Sequence, residues 1–252
     1  MKTVFVTGAA QGIGLAIARR FAGEGYRVGL FDINASRCQS LLTEPDFSDA
    51  IAGYCDVRDA ESITSALAVF SDQTGGRLDV LVNNAGVLAA GEISNHSEAQ
   101  IRAMVDVNVT GLTLVSSAAF PLLKSTPGAM VINLCSASSI HGIPLLAVYS
   151  ATKFYVDGLT QALNLEWESD DIYVACVKPP VIDTEMGHSL DPRHIEKMTI
   201  SMQPDDVADT VFKLTLQRQP QVVLGVTTQL WHRLSRSLGL RFSRWLTQRM
   251  IS

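Results

Sequence analysis

Tyr149 and Lys153 stand four residues apart, about one helical turn, and Ser136 precedes the tyrosine by thirteen residues. The surrounding segment, AVYSATKFYVDGLTQAL, has apolar residues at helical intervals and no proline, which predicts a helix with the phenol and the ammonium on one face. A phenol has an ordinary pKa of about 10, and a neighbouring lysine cation lowers that pKa and makes the tyrosine a usable general acid or base. The same spacing also occurs on helix surfaces without chemistry, so the elements around it decide between the two interpretations.

The amino terminus, MKTVFVTGAAQGIGLAIARRFAGEG, predicts a short apolar strand, a glycine-rich turn and a helix that begins near Gly12. We expect Gly8 to allow a sharp turn, Gly12 to let the backbone approach a pyrophosphate, and Gly14 to let the helix pack closely on the strand. Unpaired N–H groups at the start of the helix attract phosphate charge. The pattern indicates a dinucleotide-binding turn. Its Gly-x-x-x-Gly-x-Gly spacing is one residue longer than the common fingerprint, and an ordinary glycine-rich turn is the alternative.

A second apolar strand, RVGLFD, ends at Asp32, about twenty residues after the glycine-rich turn. A carboxylate in this place can accept hydrogen bonds from both hydroxyls of an adenosine ribose, and it repels a 2′-phosphate. No Lys or Arg occupies Ala9, Ala10 or Gln11, so no cation offsets that repulsion. These residues predict NAD rather than NADP as the cofactor.

Strand-like apolar runs alternate with helical patterns along the chain, which predicts an α/β fold: a doubly wound, parallel, Rossmann-type sheet between two helical layers. Runs such as VFVTG and DVLVNN are continuously apolar, as expected for strands buried on both faces. The sequence contains no repeat or internal linker, so we expect a single domain over residues 1–226 and a helical extension over residues 227–252. The predicted strands are 2–7, 26–31, 50–55, 78–83, 129–134, 172–178 and 221–224.

Composition narrows the function classes. The 252 residues carry a net charge of −5 and only 18% of them are charged, so a general attraction to nucleic acid is not expected. The chain enters its first strand directly after Lys2 and shows no apolar stretch long enough to span a bilayer, from which we expect a cytoplasmic protein. The cysteines at positions 38, 55, 135 and 176 have no paired or metal-ligand spacing, which predicts reduced structural thiols and no metal site.

Taken in order, seven motifs of this chain resemble those of the short-chain dehydrogenase/reductase (SDR) family. The resemblance extends over roughly residues 2–225 and implies the family's single-domain Rossmann fold. The motifs are TGAAQGIG (7–14), Asp56-Val57, NNAG (83–86), Asn108 within DVNVTG, Ser136, Tyr149 with Lys153, and KPPVIDT (178–184).

The resemblance implies a role for each residue of the catalytic motif. Tyr149 donates or accepts the proton, and Lys153 lowers the pKa of Tyr149 and also binds the nicotinamide ribose. Ser136 holds the substrate oxygen by a hydrogen bond, an electrostatic role like that of an oxyanion donor. Asn108 is similar to the family asparagine that interrupts a helix and anchors a water leading to the lysine, with a helix cap or kink as the alternative. Whether Ser138 shares the role of Ser136 stays open.

The resemblance also implies which residues bind the cofactor, and these residues are spread along the chain from Gly8 to Thr184. One of them, Asn83, can instead be a residue that bridges strands. The usual Pro-Gly of the last motif is Pro179-Pro180 here, which stiffens the turn and removes an N–H donor. The implied positions are Gly8, Gly12, Ile13 and Gly14 at the pyrophosphate; Asp32 and Ile33 at the ribose; Asp56 and Val57 at the adenine; Asn83, Ala85 and Gly86 below the cofactor; Tyr149 and Lys153 at the nicotinamide ribose; and Pro179, Ile182 and Thr184 in the nicotinamide loop.

The family's substrate pocket lies between the stretches after Ser136, after NNAG and after Thr184, the last of which is a lid. In this chain those stretches carry side chains that predict an apolar or mixed pocket rather than one for a highly charged substrate. They are Leu88, Ile140, Leu145, Val181 and Met186.

The last stretch, TTQLWHRLSRSLGLRFSRWLTQRMIS, lies beyond the resemblance. It carries five arginines and no acidic residue among spaced large apolar residues, which predicts a basic amphipathic helix. Such a helix can pack within the chain or against a second subunit, close over the substrate cleft, or make a peripheral contact with an anionic membrane surface through residues 227–252.

The sequence therefore predicts an NAD-dependent oxidoreductase that interconverts a small-molecule secondary alcohol and a ketone. Family resemblance implies a homodimer or homotetramer that uses the helices around 98–124 and 148–168. A catalytically weak NAD-binding regulator or scaffold that senses redox state is the alternative from another class, and the intact Ser136, Tyr149 and Lys153 argue against it. A reductase of carbon–carbon double bonds or an epimerase also stays open.

Overall fold

One sheet of seven strands forms the centre of the molecule. A computed structural model describes residues 1–188, 202–237, 244–245 and 247–248. The strands are β1 (Thr3–Thr7), β2 (Arg27–Asp32), β3 (Ile51–Tyr54), β4 (Val80–Asn83), β5 (Met130–Leu134), β6 (Tyr173–Lys178) and β7 (Gln221–Val223). Each of the seven overlaps a strand predicted from the sequence.

Helices connect these strands. Within the described residues they are α1 (Gly12–Gly23), α2 (Ala35–Leu41), α3 (Ala60–Thr74), α4 (Glu98–Val105), α5 (Leu112–Lys124), α6 (Ala147–Glu166), α7 (Glu185–His188), α8 (Pro204–Leu216) and α9 (Val226–Ser237). A π-helical turn, Asp106–Gly111, joins α4 to α5, and a 3-10 turn, Ala137–Ser139, follows β5.

The strand order places the candidate site. Across the sheet the order is β3-β2-β1-β4-β5-β6-β7, and all pairings between these strands are parallel. The chain moves outward from β1 to β3 and then returns to β4 on the other side of β1, so the order reverses between β1 and β4. In doubly wound sheets, ligands bind beyond the carboxyl ends of the strands at such a reversal.

Apolar side chains fill both faces of the sheet. On one face, the rings of Phe21 in α1 and Phe212 in α8 meet edge to face at 5.4 Å between centroids. On the other face, Phe5 stacks on Phe31 at 4.3 Å and meets the edge of Phe70 in α3 at 5.3 Å. Burial of one such ring contributes about 1.5–3 kcal/mol to folding. Helices on both faces give three layers, and the predicted Rossmann-type fold class is confirmed.

The helical segment 98–124 corrects one expectation. By length and composition it is long and apolar enough to cross a membrane, whereas no such stretch was expected from the sequence. In the fold, its α5 part packs on β4 and α3, with Val115, Ala119 and Leu123 buried in the core. The sheet therefore gives its apolar residues a protein surface to pack against.

The four cysteines are unpaired and buried. Burial raises the pKa of Cys38 and of Cys55 to about 12, because a thiolate loses its hydration inside the core. These two thiols are therefore held protonated at neutral pH, in line with the structural role expected from the sequence.

The described part of the C-terminal extension is helical, as the sequence predicts. Gly225, in the left-handed region with φ of 80°, turns the chain into α9. Trp231 of α9 is buried among residues of the sheet domain, so packing within the chain accounts for this side chain. Residues 238–243, 246 and 249–252 lie outside the described residues, and contact of the extension with a membrane or a second subunit stays a prediction.

Candidate active site

The glycine-rich turn after β1 brings two glycines into contact. A Cβ atom added at Gly14 would lie 2.1 Å from the carbonyl oxygen of Gly8, so only glycine fits there. Gly8 and Gly12 have φ of 66° and 55°, in the left-handed region that favours glycine. Helix α1 begins at Gly12, as predicted, and the side chain of Gln11 does not cap it. The first N–H groups of α1 therefore remain available to an anion.

Asn84, for which no separate role was expected from the sequence, ties this turn to β4. Its side-chain amide donates to the carbonyl oxygens of Thr7, at 3.0 Å, and Gly8, at 2.9 Å. The Thr7 hydroxyl in turn accepts from the backbone N–H groups of Asn84 and Ala85. The second asparagine of NNAG thus fixes the glycine turn. Its position in that motif is the sequence feature from which this role could have been predicted.

Asn83 serves a different purpose. Its side chain is buried and donates to the Ser116 hydroxyl and to the side-chain oxygen of Asn133, both at 2.9 Å. This bridge links β4 to β5 and to α5, which is the structural alternative weighed from the sequence. Contact between Asn83 and the cofactor stays a prediction that rests on the backbone rather than on the side chain.

Asp32 ends β2 beside the glycine turn. Its carboxylate accepts from the backbone N–H of Ala10, at 3.1 Å, and of Asn34, at 2.9 Å. These two bonds hold the carboxylate at the carboxyl edge of the sheet, next to the turn. Ile33 follows with an exposed side chain. The arrangement suits a carboxylate that receives ribose hydroxyls.

Asp56 and Val57 follow β3, and their side chains have different surroundings. The Arg58 guanidinium lies 2.6 Å from the Asp56 carboxylate and holds the pKa of that carboxyl below its ordinary value. Val57 is buried, and a Cβ atom at Gly111 would lie 2.7 Å from its methyl group. Val57 therefore packs against the π-helical turn, in addition to its predicted place at the adenine.

Ser136 and Tyr149 come together beyond β5. Ser136 caps the 3-10 turn Ala137–Ser139, and its hydroxyl accepts from the N–H of Ser138 at 3.1 Å. Tyr149, in the first turn of α6, is partly buried, and burial raises the pKa of its phenol to about 12. Hydrogen bonding from the Ser136 hydroxyl opposes that rise. The phenol is therefore protonated at neutral pH and suited to donate a proton.

Lys153 lies one helical turn beyond Tyr149, on the same side of α6. Its ammonium is 5.6 Å from the centroid of the Tyr149 ring and donates to the carbonyl oxygen of Leu134 at 2.8 Å. Burial lowers the pKa of this lysine, because the charged form loses hydration. The ammonium faces a carbonyl oxygen instead of the phenol, so the expected lowering of the Tyr149 pKa by Lys153 is not seen, and burial dominates.

Asn108 sits in the π-helical turn, as expected of a residue that interrupts a helix. Its amide donates to the carbonyl of Val87 at 2.9 Å and to the hydroxyl of Thr152 at 3.1 Å, and its oxygen accepts from the N–H of Val87 at 2.9 Å. A Cβ atom at Gly86 would lie 3.3 Å from that oxygen and 3.8 Å from the Lys153 nitrogen. Asn108 and Lys153 therefore border the same glycine.

Ser138 also stays a candidate for contact with the substrate. Its side chain is buried, and its hydroxyl has no hydrogen-bond partner among the described residues. Ser136 is the one placed against Tyr149, so the two serines offer separate hydroxyls at one end of the site.

The loop after β6 reaches over the glycine turn. The carbonyl of Pro179 accepts from the N–H of Ala137 at 2.9 Å, which fixes the loop to the serine turn. A Cβ atom at Gly12 would lie 3.5 Å from the methyl carbon of Thr184, so the loop ends above the start of α1. Ile182 is buried and bridges to Met202. The predicted lid is described only as far as His188, and residues 189–201 lie outside the described part.

Residues 2–194 match the family described as short chain dehydrogenase. The chain belongs to this family. It is 31% identical over 218 residues to a 3alpha-hydroxysteroid dehydrogenase from Mediterraneibacter gnavus, a match that covers 82% of this chain and 87% of that protein.

Solved structures agree with this short chain dehydrogenase fold. A short chain dehydrogenase/reductase from Burkholderia phymatum in complex with NAD has a TM-score of 0.84 at 21% identity and covers 92% of both chains. An alcohol dehydrogenase from Thermococcus sibiricus complexed with 5-hydroxy-NADP has a TM-score of 0.78 at 28% identity, covering 89% of this chain and 96% of that chain.

The site of this short chain dehydrogenase fits a nicotinamide dinucleotide. The close approach of Gly14 to Gly8 clears space at the uncapped start of α1, where a pyrophosphate binds. Asp32 lies beside that turn, and Thr184 lies above it.

An apolar cluster adjoins Tyr149 of this short chain dehydrogenase. Its buried members come from the serine turn, the segment before α6, and α9. The predicted pocket residues Leu88, Ile140 and Val181 pack against it, as does Tyr149. The cluster, hereafter the pocket cluster, consists of Ala137, Ile143, Leu146 and Trp231.

Proposed function

We propose that this protein is an NAD-dependent oxidoreductase that interconverts a secondary alcohol and a ketone of apolar or mixed character. The arrangement of Ser136, Tyr149 and Lys153 beyond the carboxyl ends of β5 and β6 carries the proposal. A protonated phenol, a serine hydroxyl against it and a buried lysine one turn away are what proton transfer to a carbonyl oxygen needs.

Each residue has one task in ketone reduction. The Ser136 hydroxyl holds the carbonyl oxygen and stabilises the charge that develops on it. Tyr149, protonated because burial raises its pKa to about 12, gives its proton to that oxygen. When bound, the nicotinamide supplies the hydride in this direction and accepts it in the other. The buried ammonium of Lys153 holds positive charge near the phenol, and Asn108, which donates to the Thr152 hydroxyl, borders Gly86 as that ammonium does.

The residues that would hold the cofactor follow from the same geometry. The pyrophosphate would bind at Gly8, Gly12, Ile13 and Gly14, and Asp32 with Ile33 would hold the adenosine ribose. The Asp32 carboxylate favours NAD, since it repels a 2′-phosphate and the turn beside it carries Ala9, Ala10 and Gln11 instead of a cation.

We propose a cytoplasmic homo-oligomer. Its interface would use α6, which presents Phe154, Tyr155 and Leu165 with 43%, 40% and 74% of their surface exposed. Exposed large apolar side chains on one helix favour burial against a second copy.

The experiment is NADH formation by the purified protein on secondary alcohols from short chains to steroids and hydroxyacyl compounds, with NADP in parallel. Tyr149→Phe should lower kcat/KM at least about 100-fold, because it removes the only proton the phenol can give. Tyr26→Phe, directly before β2 at the amino edge of the sheet and packed on Phe21, serves as the control and should leave turnover unchanged. Tight NAD binding without turnover on any alcohol would instead favour the redox-sensing regulator.

A further inference from the structure

Trp231 is a member of the pocket cluster, although it comes from the C-terminal helix α9. Only 5% of its surface is exposed, and it packs in one cluster with Ala137, the residue after the catalytic serine. Tyr149 packs against the same cluster. A residue beyond the family resemblance therefore forms part of the surroundings of the catalytic tyrosine.

The indole N–H of Trp231 has no hydrogen-bond partner among the described residues. Buried indole N–H groups usually find an acceptor, because burying an unpaired donor costs free energy. The buried apolar side chains that share its cluster, Ala137, Ile143 and Leu146, offer no acceptor. A donor left unpaired in an apolar wall is therefore suited to an acceptor that arrives with a ligand.

The backbone of α9 is fixed relative to the nicotinamide loop. The N–H of Leu224 donates to the carbonyl of Lys178 at 3.1 Å, and the side-chain amide of Gln229 donates to the carbonyl of Val223 at 3.0 Å. A Cβ atom at Gly225 would lie 3.7 Å from the ring of Pro180. Pro180 replaces the usual glycine of this loop, and its ring thus packs at the start of α9 and helps to set the position of Trp231.

We propose that Trp231 is a specificity-determining residue whose indole N–H donates to a second oxygen of the substrate, a hydroxyl or carbonyl away from the carbon that is oxidised or reduced. This proposal rests on the proposed alcohol and ketone chemistry. The reacting oxygen is served by Ser136 and Tyr149, and Ser138 is two residues from Ser136, whereas Trp231 enters from another element. One polar donor in an otherwise apolar wall selects substrates that place an acceptor against it.

The kinetic test compares alcohols that differ by one oxygen. Suitable pairs are cyclohexanol with cyclohexane-1,4-diol, and 5α-androstan-3α-ol with androsterone. Trp231→Phe keeps an aromatic wall and removes the N–H, so it should lower kcat/KM about 10-fold or more for the member with the second oxygen and less than about 2-fold for the other. Trp167→Phe is the matched control, because Trp167 lies in the core on the other cluster, beside Phe120, and should affect both members equally.

A second measurement does not depend on turnover. The indole N–H signal of Trp231 is assigned in a ¹⁵N correlation spectrum by its loss in Trp231→Phe. It is then followed with NADH and each alcohol, a combination in which both partners are reduced and cannot react. A shift with the oxygen-rich member alone supports the proposal. Equal responses to both members, no response to any, or equal kinetic losses in Trp231→Phe overturn it.

The two proposals fail in different ways. If Tyr149→Phe leaves turnover intact, the proposed catalytic function is wrong, whatever Trp231 does. If Tyr149→Phe abolishes turnover and Trp231→Phe does not distinguish the alcohols, the catalytic function stands and the role of Trp231 is wrong.

Discussion

The Lys153 ammonium lies 5.6 Å from the centroid of the Tyr149 ring but gives its hydrogen bond to the carbonyl oxygen of Leu134, 2.8 Å away. The two side chains therefore lie near each other, although the ammonium is hydrogen-bonded to a carbonyl oxygen and not to the phenol oxygen. Burial of the phenol prevails, and the pKa of Tyr149 is raised to about 12. Without a bound cofactor the phenol is therefore held in its protonated form.

This pKa predicts opposite pH dependences for the two directions. Ketone reduction needs the protonated phenol, so its kcat/KM should not fall from ionisation of Tyr149 between about pH 7 and pH 10. Alcohol oxidation needs the phenolate, so its kcat/KM should rise about tenfold per pH unit over that range. Initial rates in both directions provide the check. A plateau of the oxidation profile near pH 8 would show that Lys153 lowers the pKa after all.

Ser136→Ala extends that prediction. Hydrogen bonding from the Ser136 hydroxyl lowers the pKa of Tyr149, so its removal should raise the pKa further and move the oxidation profile to higher pH. The variant should also lose about 100-fold or more in kcat, because a donor to the developing charge is gone. Because that profile has no plateau below pH 10, titration of the phenol itself measures the shift, and an equal pKa with and without the Ser136 hydroxyl would mean that Ser136 does not contact the phenol.

Gly14→Ala should destabilise the fold and weaken cofactor binding. The new methyl carbon would lie 2.1 Å from the Gly8 carbonyl oxygen, so the turn or the helix must shift, at a cost of about 1–3 kcal/mol in the free energy of unfolding. Gly23→Ala, at the other end of α1, is the matched control. Nothing described lies within 4 Å of its Cβ position, so it should be neutral or should stabilise by about 0.5–1 kcal/mol. Urea unfolding and NAD calorimetry measure both variants; equal stabilities would contradict the packing argument.

Asp32→Ser should change cofactor preference. Loss of the carboxylate removes charge-assisted hydrogen bonds to the ribose and should raise the Kd for NAD about 10-fold, while the Kd for NADP falls because the repulsion is gone. Serine is chosen because its single hydroxyl can still accept from the N–H of Asn34, two residues further on. Asp72→Ser, exposed on α3, is the control. Calorimetry with both cofactors decides, and a parallel loss for NAD and NADP would remove the assigned role.

Asp79→Asn should destabilise the protein by about 2 kcal/mol at neutral pH, since the buried carboxylate accepts from the N–H and hydroxyl of Thr3 and from Arg77. The pKa of Asp79 is below its ordinary value, because the bonds from Arg77 and Thr3 outweigh the burial that opposes them. A lowered folded pKa means that the stabilisation is present above about pH 4 and is lost as pH falls through the folded pKa.

Denaturant unfolding of the wild type and of Asp79→Asn at pH 7 and near pH 3 measures this. The difference between them should shrink at the lower pH. Asp49→Asn is the control, because Asp49 is 61% exposed and pairs with Arg27 at 3.5 Å, so its effect should stay within about 0.5 kcal/mol. An Asp79→Asn deficit that does not shrink with acid would point to packing rather than charge.

Much of the cofactor-binding framework is visible in the sequence, because it depends on local properties. The φ of Gly8 and Gly12, the start of α1 at Gly12 and the end of β2 at Asp32 each follow from residue type and from the period of apolar residues. Continuous apolar runs likewise predict the seven strands and the parallel fold.

Tertiary structure decided which neighbour each polar group finds. The two asparagines of NNAG are alike in sequence, yet Asn83, the last residue of β4, bonds across the sheet to Asn133, while Asn84, just beyond the strand, holds Gly8. The pKa of Tyr149 depends on burial and on where the Lys153 ammonium points, and neither follows from a spacing of four residues.

The C-terminal helix α9 shows the same difference between what a local pattern predicts and which contacts the fold makes. Its amphipathic pattern is a local property and is readable from the residues, but the pattern fits a membrane, a second subunit or the chain itself equally well. Only the fold, by turning the chain at Gly225 and closing α9 against the segment before α6, places Trp231 in one cluster with residues that pack against Tyr149. The sequence by itself determined the elements and the chemistry they carry, since both depend on near neighbours, and the tertiary structure decided the contacts, which join residues far apart in the chain.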